Sequence, residues 1–394
     1  MADAMRQWED MPRRGVFVRA LTLTNFRSYT RASLSPSGDA PLVVLTGENG
    51  AGKTNVLEAL SYLAPGRGLR RATIGEVAKQ GATSPWAVAA TLDVLGEDIR
   101  VGTGQDMGAS DGSKRLVRLD GESAPNSNVL GDRWSVTWLT PQMDRLFIEG
   151  PSSRRRFLDR LVLGLYADHS RQVGAYERVM RERNRLLSDK GRRADPAWLS
   201  AIEARMAEHA VAVANARLDF AGQLAGQLAE ADDGPFPKAE LAIDGWLEGL
   251  LADGMAAVEA ESAYRERLMA ERGRDIAAGR THEGVHKTDL VVTHAPKGMQ
   301  ADLCSTGEQK ALLIALVLAN AKLQSAIRGQ APLMLMDEIV AHLDGERRAA
   351  LFEALAALGG QCWLTGTDRS LFAALEGRAE FFDVCGGLIQ PAHG

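Results

Sequence analysis

Leu42-Val43-Val44-Leu45-Thr46-Gly47-Glu48-Asn49-Gly50-Ala51-Gly52-Lys53-Thr54 is the stretch on which the fold turns. Its start reads as a buried strand, and its end is a complete G-x-x-x-x-G-K-T loop. From Thr54 to Leu63 the apolar residues Val56, Leu57, Leu60 and Leu63 recur at helical spacing. The glycines let the backbone curl until successive N–H groups face a β-phosphate, and the helix start adds its positive dipole end. Gly47, Glu48, Asn49, Gly50, Ala51, Gly52, Lys53 and Thr54 are therefore the nucleotide-binding candidates. Lys53 would reach the β- and γ-oxygens of ATP, and the Thr54 hydroxyl would ligate Mg²⁺. The competing reading is a chance glycine turn before a helix; the order strand, loop, helix argues against it.

Further along, Leu333-Met334-Leu335-Met336-Asp337-Glu338 is an apolar strand ending in two carboxylates. Such an ending is commonly just a strand meeting a polar loop. Paired with an upstream phosphate loop it assigns Asp337 to Mg²⁺ and Glu338 to the attacking water as general base. Between the two lies Ser305-Thr306-Gly307-Glu308-Gln309, ahead of a strongly apolar helix (Leu312, Leu313, Leu316, Val317). A hydroxyl cap with a first-turn glutamate suits any helix start. An uncovered N-terminus carrying Ser305 and Gly307 is also a receptor for a γ-phosphate.

The chain has 394 residues, 45% apolar and 25% charged, enough for two or three domains. A formal charge of −5 argues against a uniformly basic coat, so any DNA contact must come from a local patch. Cys304, Cys362 and Cys385 stand far apart, which disfavours a zinc site or disulfide framework. Met1 to Arg14 is polar, and the longest apolar run, Ala311 to Ala319, is too short to span a bilayer. The expectation is a cytoplasmic protein with no membrane partner.

Residues 16–24 read as an opening strand, followed by a turn cluster at Ser35–Asp39. Strand-like runs at 87–95, 115–119 and Trp134–Leu139, with a Gly/Asp/Ser-rich loop at 102–113, suggest an antiparallel lobe. After Gly150-Pro151 the composition turns to Ala, Arg, Leu and Glu with almost no strand signal, an inserted helical domain. Alternation resumes from 286, with strands at 290–292, 332–336, 361–365 and 380–384 between helices at 307–325, 345–358 and 369–376. The expected fold is α/β, a P-loop ATPase head with an antiparallel β lobe and an inserted helical arm domain. Its parts are 1–150 and 284–394 as the two halves of the head and 151–283 as the arm.

The order of these motifs resembles ABC-type ATPases of the SMC/Rad50/RecF group and, within it, the RecF family of bacterial DNA repair proteins. The resemblance runs nearly the full length. It is carried by Leu23-Thr24-Asn25-Phe26-Arg27-Ser28-Tyr29, by Gly47 to Leu57, by Pro141 through Gly150-Pro151-Ser152-Ser153-Arg154-Arg155-Arg156-Phe157-Leu158-Asp159, and by Gly284-Val285-His286-Lys287-Thr288-Asp289-Leu290. The resemblance implies that Arg27 lies close to the nucleotide, that Gln142 falls near the Q-loop, and that Asp344 belongs to a D-loop crossing a dimer interface. It implies that Ser305, Gly307 and Glu308 complete the ATP site of a second subunit, making ATP a switch for homodimerisation. Gln142 stands where the family often has an acidic residue, and Val285 and Thr288 replace its proline and first aspartate. Further implied are duplex and gapped DNA as ligand, RecR and RecO as partners, RecA loading as the outcome, and slow, DNA-stimulated hydrolysis as the reset.

Between Arg154 and Arg193 twelve Lys/Arg face five Asp/Glu. A solvated helix face with internal ion pairs accounts for this as well as a phosphate-tracking surface does. On the second reading Arg154, Arg155, Arg156, Arg181 and Arg185 would contact duplex DNA. The insert of about 130 residues allows arms of at most about 60 residues, roughly 90 Å, too short for an SMC or Rad50 coiled coil. A transporter ATPase would show a switch histidine where Thr365-Gly366-Thr367-Asp368 stands. A small-molecule kinase would have no use for the Ser305 helix, and an ATPase-linked nuclease would need a further carboxylate-rich domain.

Overall fold

The computed structural model describes residues 15–37, 40–106, 108, 114–232 and 234–392. The polar stretch Met1–Arg14 lies outside them, as do parts of the turn at 35–39 and of the loop at 102–113. The chain divides into two compact units, Met1–Asp144 with Asp233–Phe236 and Leu313–Gly394, and Arg145–Asp232 with Pro237–Leu312.

The first unit holds two six-stranded sheets. One consists of β1 (Val16–Phe26), β2 (Tyr29–Leu34), β4 (Ala87–Val94), β5 (Glu97–Gln105), β6 (Arg115–Leu119) and β7 (Glu122–Ser123), antiparallel throughout in the order β2-β1-β4-β5-β6-β7. The other consists of β3 (Leu42–Thr46), β8 (Val136–Leu139), β12 (Leu333–Met336), β13 (Cys362–Gly366), β14 (Glu380–Cys385) and β15 (Leu388–Pro391). Its order is β15-β14-β3-β13-β12-β8, and every neighbouring pair is parallel except β14–β15.

Burial explains the difference in sequence texture. Every residue of β3, β8, β12 and β13 is buried, so these strands read as mainly apolar runs rather than as alternating ones. Strand β4 alternates exposed and buried residues over Ala87–Ala90 and reads as half-covered. Val43, Leu45, Val56, Leu57, Leu60, Leu333, Leu335 and Trp363 share one core that continues into the antiparallel sheet.

The second unit is mainly helical: Pro151–Leu163, His169–Lys190, Pro196–Ala229, Trp246–Ala252, Ala257–Ala270 and Arg272–Ala278. Pro196 opens a helix of 34 residues, with the Asp195 carboxylate accepting from the Ala197 N–H at 2.8 Å. At the standard rise that helix spans about 51 Å. Tyr176, Val179, Ile202, Met206, Ala210, Val213, Tyr264 and Leu268 fill the core between the helices. The unit also contains a three-stranded antiparallel sheet, β11-β10-β9, from β9 (Ala239–Asp244), β10 (Asp289–His294) and β11 (Met299–Gln300).

Two strands contradict the sequence reading, and β2, β7, β11 and β15 lie where it marked no strand. Strand β5 runs through Gly102 and Gly104, which suggested a loop but pair with Arg118 and Leu116 of β6. Strand β9 lies inside the stretch read as a helical domain with almost no strand signal; all six of its residues pair with β10, and that ladder outweighs the helix preference of Ala and Glu. The helix Thr306–Arg328 is apolar and long enough to cross a membrane, but 78% of its most apolar window is buried inside the protein. It is a core helix.

Candidate nucleotide-binding site

Strand β3 delivers the chain to the phosphate loop, and the helix Lys53–Ser61 takes it away. Gly47 (φ 150°) and Gly52 (φ 116°) hold backbone conformations that side chains rarely adopt. A Cβ at Gly47 would lie 2.2 Å from the Val384 carbonyl oxygen, and one at Gly52 would lie 2.5 Å from the Tyr29 hydroxyl. Lys53 is 4% exposed and its Nζ donates back to the carbonyls of Gly47 (2.7 Å) and Glu48 (2.9 Å). Burial pulls its ammonium below the usual lysine range, while Glu338 and Asp337 pull the other way.

Parallel pairing of β12 between β8 and β13 fixes the carboxylate end of the site. The Asp337 N–H donates to the Leu139 carbonyl at 2.9 Å. Thr54 Oγ1 donates to the Asp337 carboxylate, 2.9 Å from Oδ1 and 3.1 Å from Oδ2. Thr365 Oγ1, at the end of β13, donates to Asp337 Oδ1 at 2.9 Å and accepts from the Glu338 N–H at 2.8 Å. Burial raises the Asp337 carboxyl above its ordinary pKa, and the Thr365 and Thr54 hydroxyls hold it down. Glu338 itself sits at φ 50°, a left-handed turn that ends the strand. Thr365 had no assigned role in the sequence reading. Its signal is a hydroxyl at the carboxyl end of the strand that follows Asp337.

Arg27 occupies the tight turn between β1 and β2, also at positive φ (52°). Its guanidinium forms a bidentate pair with Glu58 (2.8 and 2.5 Å) and donates to the Glu76 carbonyl at 2.7 Å. Glu58 is fully buried on the helix that follows the phosphate loop, and it also accepts from Arg70 at 2.7 Å. Arg70 reaches Asn55 Oδ1 at 2.7 Å, and Asn55 Nδ2 donates to Ser28 Oγ at 2.9 Å. The Tyr29 hydroxyl donates to the Gly52 carbonyl at 3.1 Å. The β1–β2 turn is thus stitched to the phosphate loop and its helix, and Glu58, Asn55 and Arg70 join the residues expected there. Gln142 lies exposed in a 3₁₀ turn, Pro141–Arg145, just beyond the end of β8 and so beside the strand bearing Asp337.

In the second unit, Ser305 precedes the helix Thr306–Arg328 and is exposed, as are Thr306 and Gly307. Glu308 Oε2 accepts from the Ser305 N–H (2.9 Å) and from Ser305 Oγ (2.8 Å). Lys297 pairs with the other carboxylate oxygen, and together these partners hold Glu308 down at a pKa of about 2. Gln309 is buried and secures the preceding turn by donating to the Cys304 carbonyl at 2.9 Å. Asp344, in the first unit, is exposed and caps the helix Gly345–Ala356 by accepting from the Arg347 N–H at 2.8 Å.

The arginines of the insert separate into two kinds. Arg154 makes a bidentate pair with Asp289 (2.8 and 2.7 Å) and donates to the carbonyls of Phe147 (3.0 Å) and Glu149 (2.5 Å). Arg155 is half-buried and donates to the Thr288 carbonyl at 2.7 Å. These two are committed within the protein. Arg156, Arg181 and Arg185 are exposed, the latter two in loose intrahelical pairs with Glu177 (3.7 Å) and Asp189 (3.6 Å). Arg183 is fully buried, bonded to Glu203 (3.0 Å), Asp275 (2.6 Å) and Thr281 (2.9 Å).

The parallel sheet, the phosphate loop at the mouth of β3 and the Asp337–Thr54 contact, which spans the strand β13 lying between β3 and β12, define an ABC-type P-loop ATPase head. A family model described as "RecF/RecN/SMC N terminal domain" matches residues 17–375. The "DNA replication and repair protein RecF" of Rhizobium rhizogenes is 48% identical over 96% of this chain and 99% of its own. The RecF of Brucella suis is 50% identical over 95% and 96%. Among solved structures, one of "the recombination mediator protein RecF-ATP in RecFOR pathway" matches with a TM-score of 0.84 at 18% identity, covering 98% of this chain and 100% of that one. An SMC head domain from Pyrococcus furiosus follows with a TM-score of 0.51 at 16% identity, covering 96% of both chains. The chain belongs to the RecF family.

Proposed function

We propose that the protein is an ATP-dependent DNA-binding switch of recombinational repair, reset by slow hydrolysis. The observation that carries this reading is the Thr54–Asp337–Thr365 arrangement behind the phosphate loop, in a chain that also presents an exposed Ser305-Thr306-Gly307 helix start. Thr54 Oγ1 and the Asp337 carboxylate are hard oxygen donors 2.9 Å apart, a pair suited to Mg²⁺. When bound with ATP, that ion would neutralise phosphate charge. Lys53 would turn from its own loop carbonyls to the phosphates, and Glu338 would accept a proton from the attacking water.

Two subunits would close head to tail, each offering Ser305 and Gly307 to its partner's γ-phosphate, with Glu308 in the same helix start and Asp344 at the interface. Arg27 would lie near the nucleotide, and Gln142 would sense the occupied site. Residues 1–150 and 284–394 would form the two halves of the head, and 151–283 the arm. The closed pair would hold duplex DNA beside a single-strand gap through exposed cations such as Arg156, Arg181 and Arg185. RecO and RecR would act with it in loading RecA, in the cytoplasm. Relatives named for DNA replication and repair, and a fold match described within the RecFOR pathway, support this assignment.

The test is Glu338→Gln, studied by sedimentation with and without ATP and gapped DNA. Dimers that form with ATP and persist on DNA are expected. A variant that stays monomeric at saturating ATP would rule out the clamp.

A further inference from the structure

The Ser305 segment is not free as it stands. Both donors it would offer a phosphate, its backbone N–H and its hydroxyl, are spent on Glu308 Oε2, at 2.9 and 2.8 Å. A carboxylate held at the start of a 23-residue helix occupies the place of an incoming anion. A helix-capping glutamate would do this anywhere. What distinguishes this one is its second partner: Lys297, from the 3₁₀ turn Ala295–Lys297 between β10 and β11, grips the other oxygen, Oε1. The turn is anchored, since β10 and β11 pair at Thr293–Gln300 and His294–Met299 and the Ala295 N–H donates to the Lys238 carbonyl at 3.0 Å. Lys297 thus offers the carboxylate somewhere to go. About half of its side chain is exposed, so it can follow Glu308 without disturbing a core.

We infer that Lys297 is a positioning residue for the Ser305 helix start: it draws Glu308 off the Ser305 donors and cancels its charge when the γ-phosphate of a second subunit arrives. This deepens, and rests on, the proposed sandwiching of ATP between two copies. Without Lys297 the phosphate would meet an uncompensated carboxylate on the very groups that should bind it. Removing the carboxylate's charge would make Lys297 dispensable.

The experiment measures the ATP midpoint of dimerisation by sedimentation velocity on the full chain, with ATP binding to the monomer and thermal melting as controls. Lys297→Met is expected to raise the midpoint by about fivefold, the upper end for one exposed ion pair, and to leave monomer binding and melting unchanged. Lys297→Arg should behave as wild type. Glu308→Gln, which keeps the amide oxygen as a cap, should lower the midpoint, and Lys297→Met/Glu308→Gln should match Glu308→Gln. If the double variant stays as impaired as Lys297→Met, or if Lys297→Met dimerises like wild type, the inference is wrong although ATP-driven pairing stands. If wild type itself never dimerises with ATP, the sandwich reading fails and takes this inference with it.

Discussion

Replacing Thr365 by valine should separate hydrolysis from nucleotide binding. The side chain is 1% exposed and valine fills the same volume, so the change removes one hydroxyl and little else. That hydroxyl donates to the Asp337 carboxylate and accepts from the Glu338 N–H. Losing a hydrogen bond to a charged group and stranding a backbone donor together cost about 3 kcal/mol. For a unit of this size that is a fall in melting temperature of roughly 6–12 °C. Two consequences follow for chemistry. Glu338, in a strained left-handed turn, loses the contact that aims it, and a displacement of the order of 1 Å costs about a hundredfold in turnover. Asp337 loses one of the two hydroxyls that hold its pKa down, so the acid limb of the ATPase pH profile moves to higher pH. The phosphate loop is untouched, and binding of a fluorescent ATP analogue should weaken by less than about tenfold. Unchanged turnover at full ATP occupancy, or binding and turnover lost in equal measure, would refute the assignment of Thr365 as the support for both carboxylates.

Further outcomes are expected. Asp337→Asn should melt higher than wild type at pH 7 in the absence of nucleotide while losing turnover. Burial raises the Asp337 pKa, so that carboxyl stabilises the fold at low pH and the benefit is lost as pH rises through its folded value; the advantage of asparagine should therefore vanish in acid. Gly52→Ala should abolish nucleotide binding measured by equilibrium titration, because φ 116° and the Tyr29 hydroxyl both oppose a Cβ there. Arg154→Ala should cost roughly 2–3 kcal/mol in urea unfolding, by stranding Asp289. Arg181→Ala and Arg185→Ala should leave stability intact and each lower the salt dependence of duplex binding by about one ion.

What could be seen in the sequence was local. The phosphate loop is a strand, a glycine turn and a helix in immediate succession, and the Asp337 strand announces itself by four apolar residues before two acids. Thr365 was hidden because its role depends on the parallel register that sets Met336 beside Leu364, which no short window contains. Glu58 was hidden for the same reason: a helix position that looks ordinary becomes the counter-ion of Arg27, 31 residues away in sequence. Arg183 is different, since its position was within reach. Arg178, Arg181 and Arg185 recur at intervals of three and four and share one helix face. Arg183 lies about 200° around the axis from Arg181, on the side carrying Val179, Leu186 and Leu187 inward. Read by angle rather than by composition, it belonged to the core from the start.

Two of the motifs that carry the family resemblance, Pro151–Asp159 and Gly284–Leu290, are each other's partners. From the block Pro151–Asp159, Arg154 holds Asp289, Arg155 holds the Thr288 carbonyl, and Asp159 accepts from Arg217 at 2.9 and 3.0 Å. Arg217 then donates to the Val285 carbonyl at 2.8 Å, and Glu248 joins it to the Thr288 hydroxyl, which lies 2.6 Å away. Every member sits in one network inside the second unit, at the foot of the strand β10 that leads toward Ser305. Arg217 is 2% exposed and Glu248 1%, so each charge there depends on the others for its compensation. Such a cluster tolerates few substitutions without leaving a buried ion unpaired. That requirement accounts for Arg154 and Arg155 with no ligand involved. On the proposed function, duplex contacts then fall to the arginines that the network leaves outside, Arg156, Arg181 and Arg185, rather than to Arg154 and Arg155.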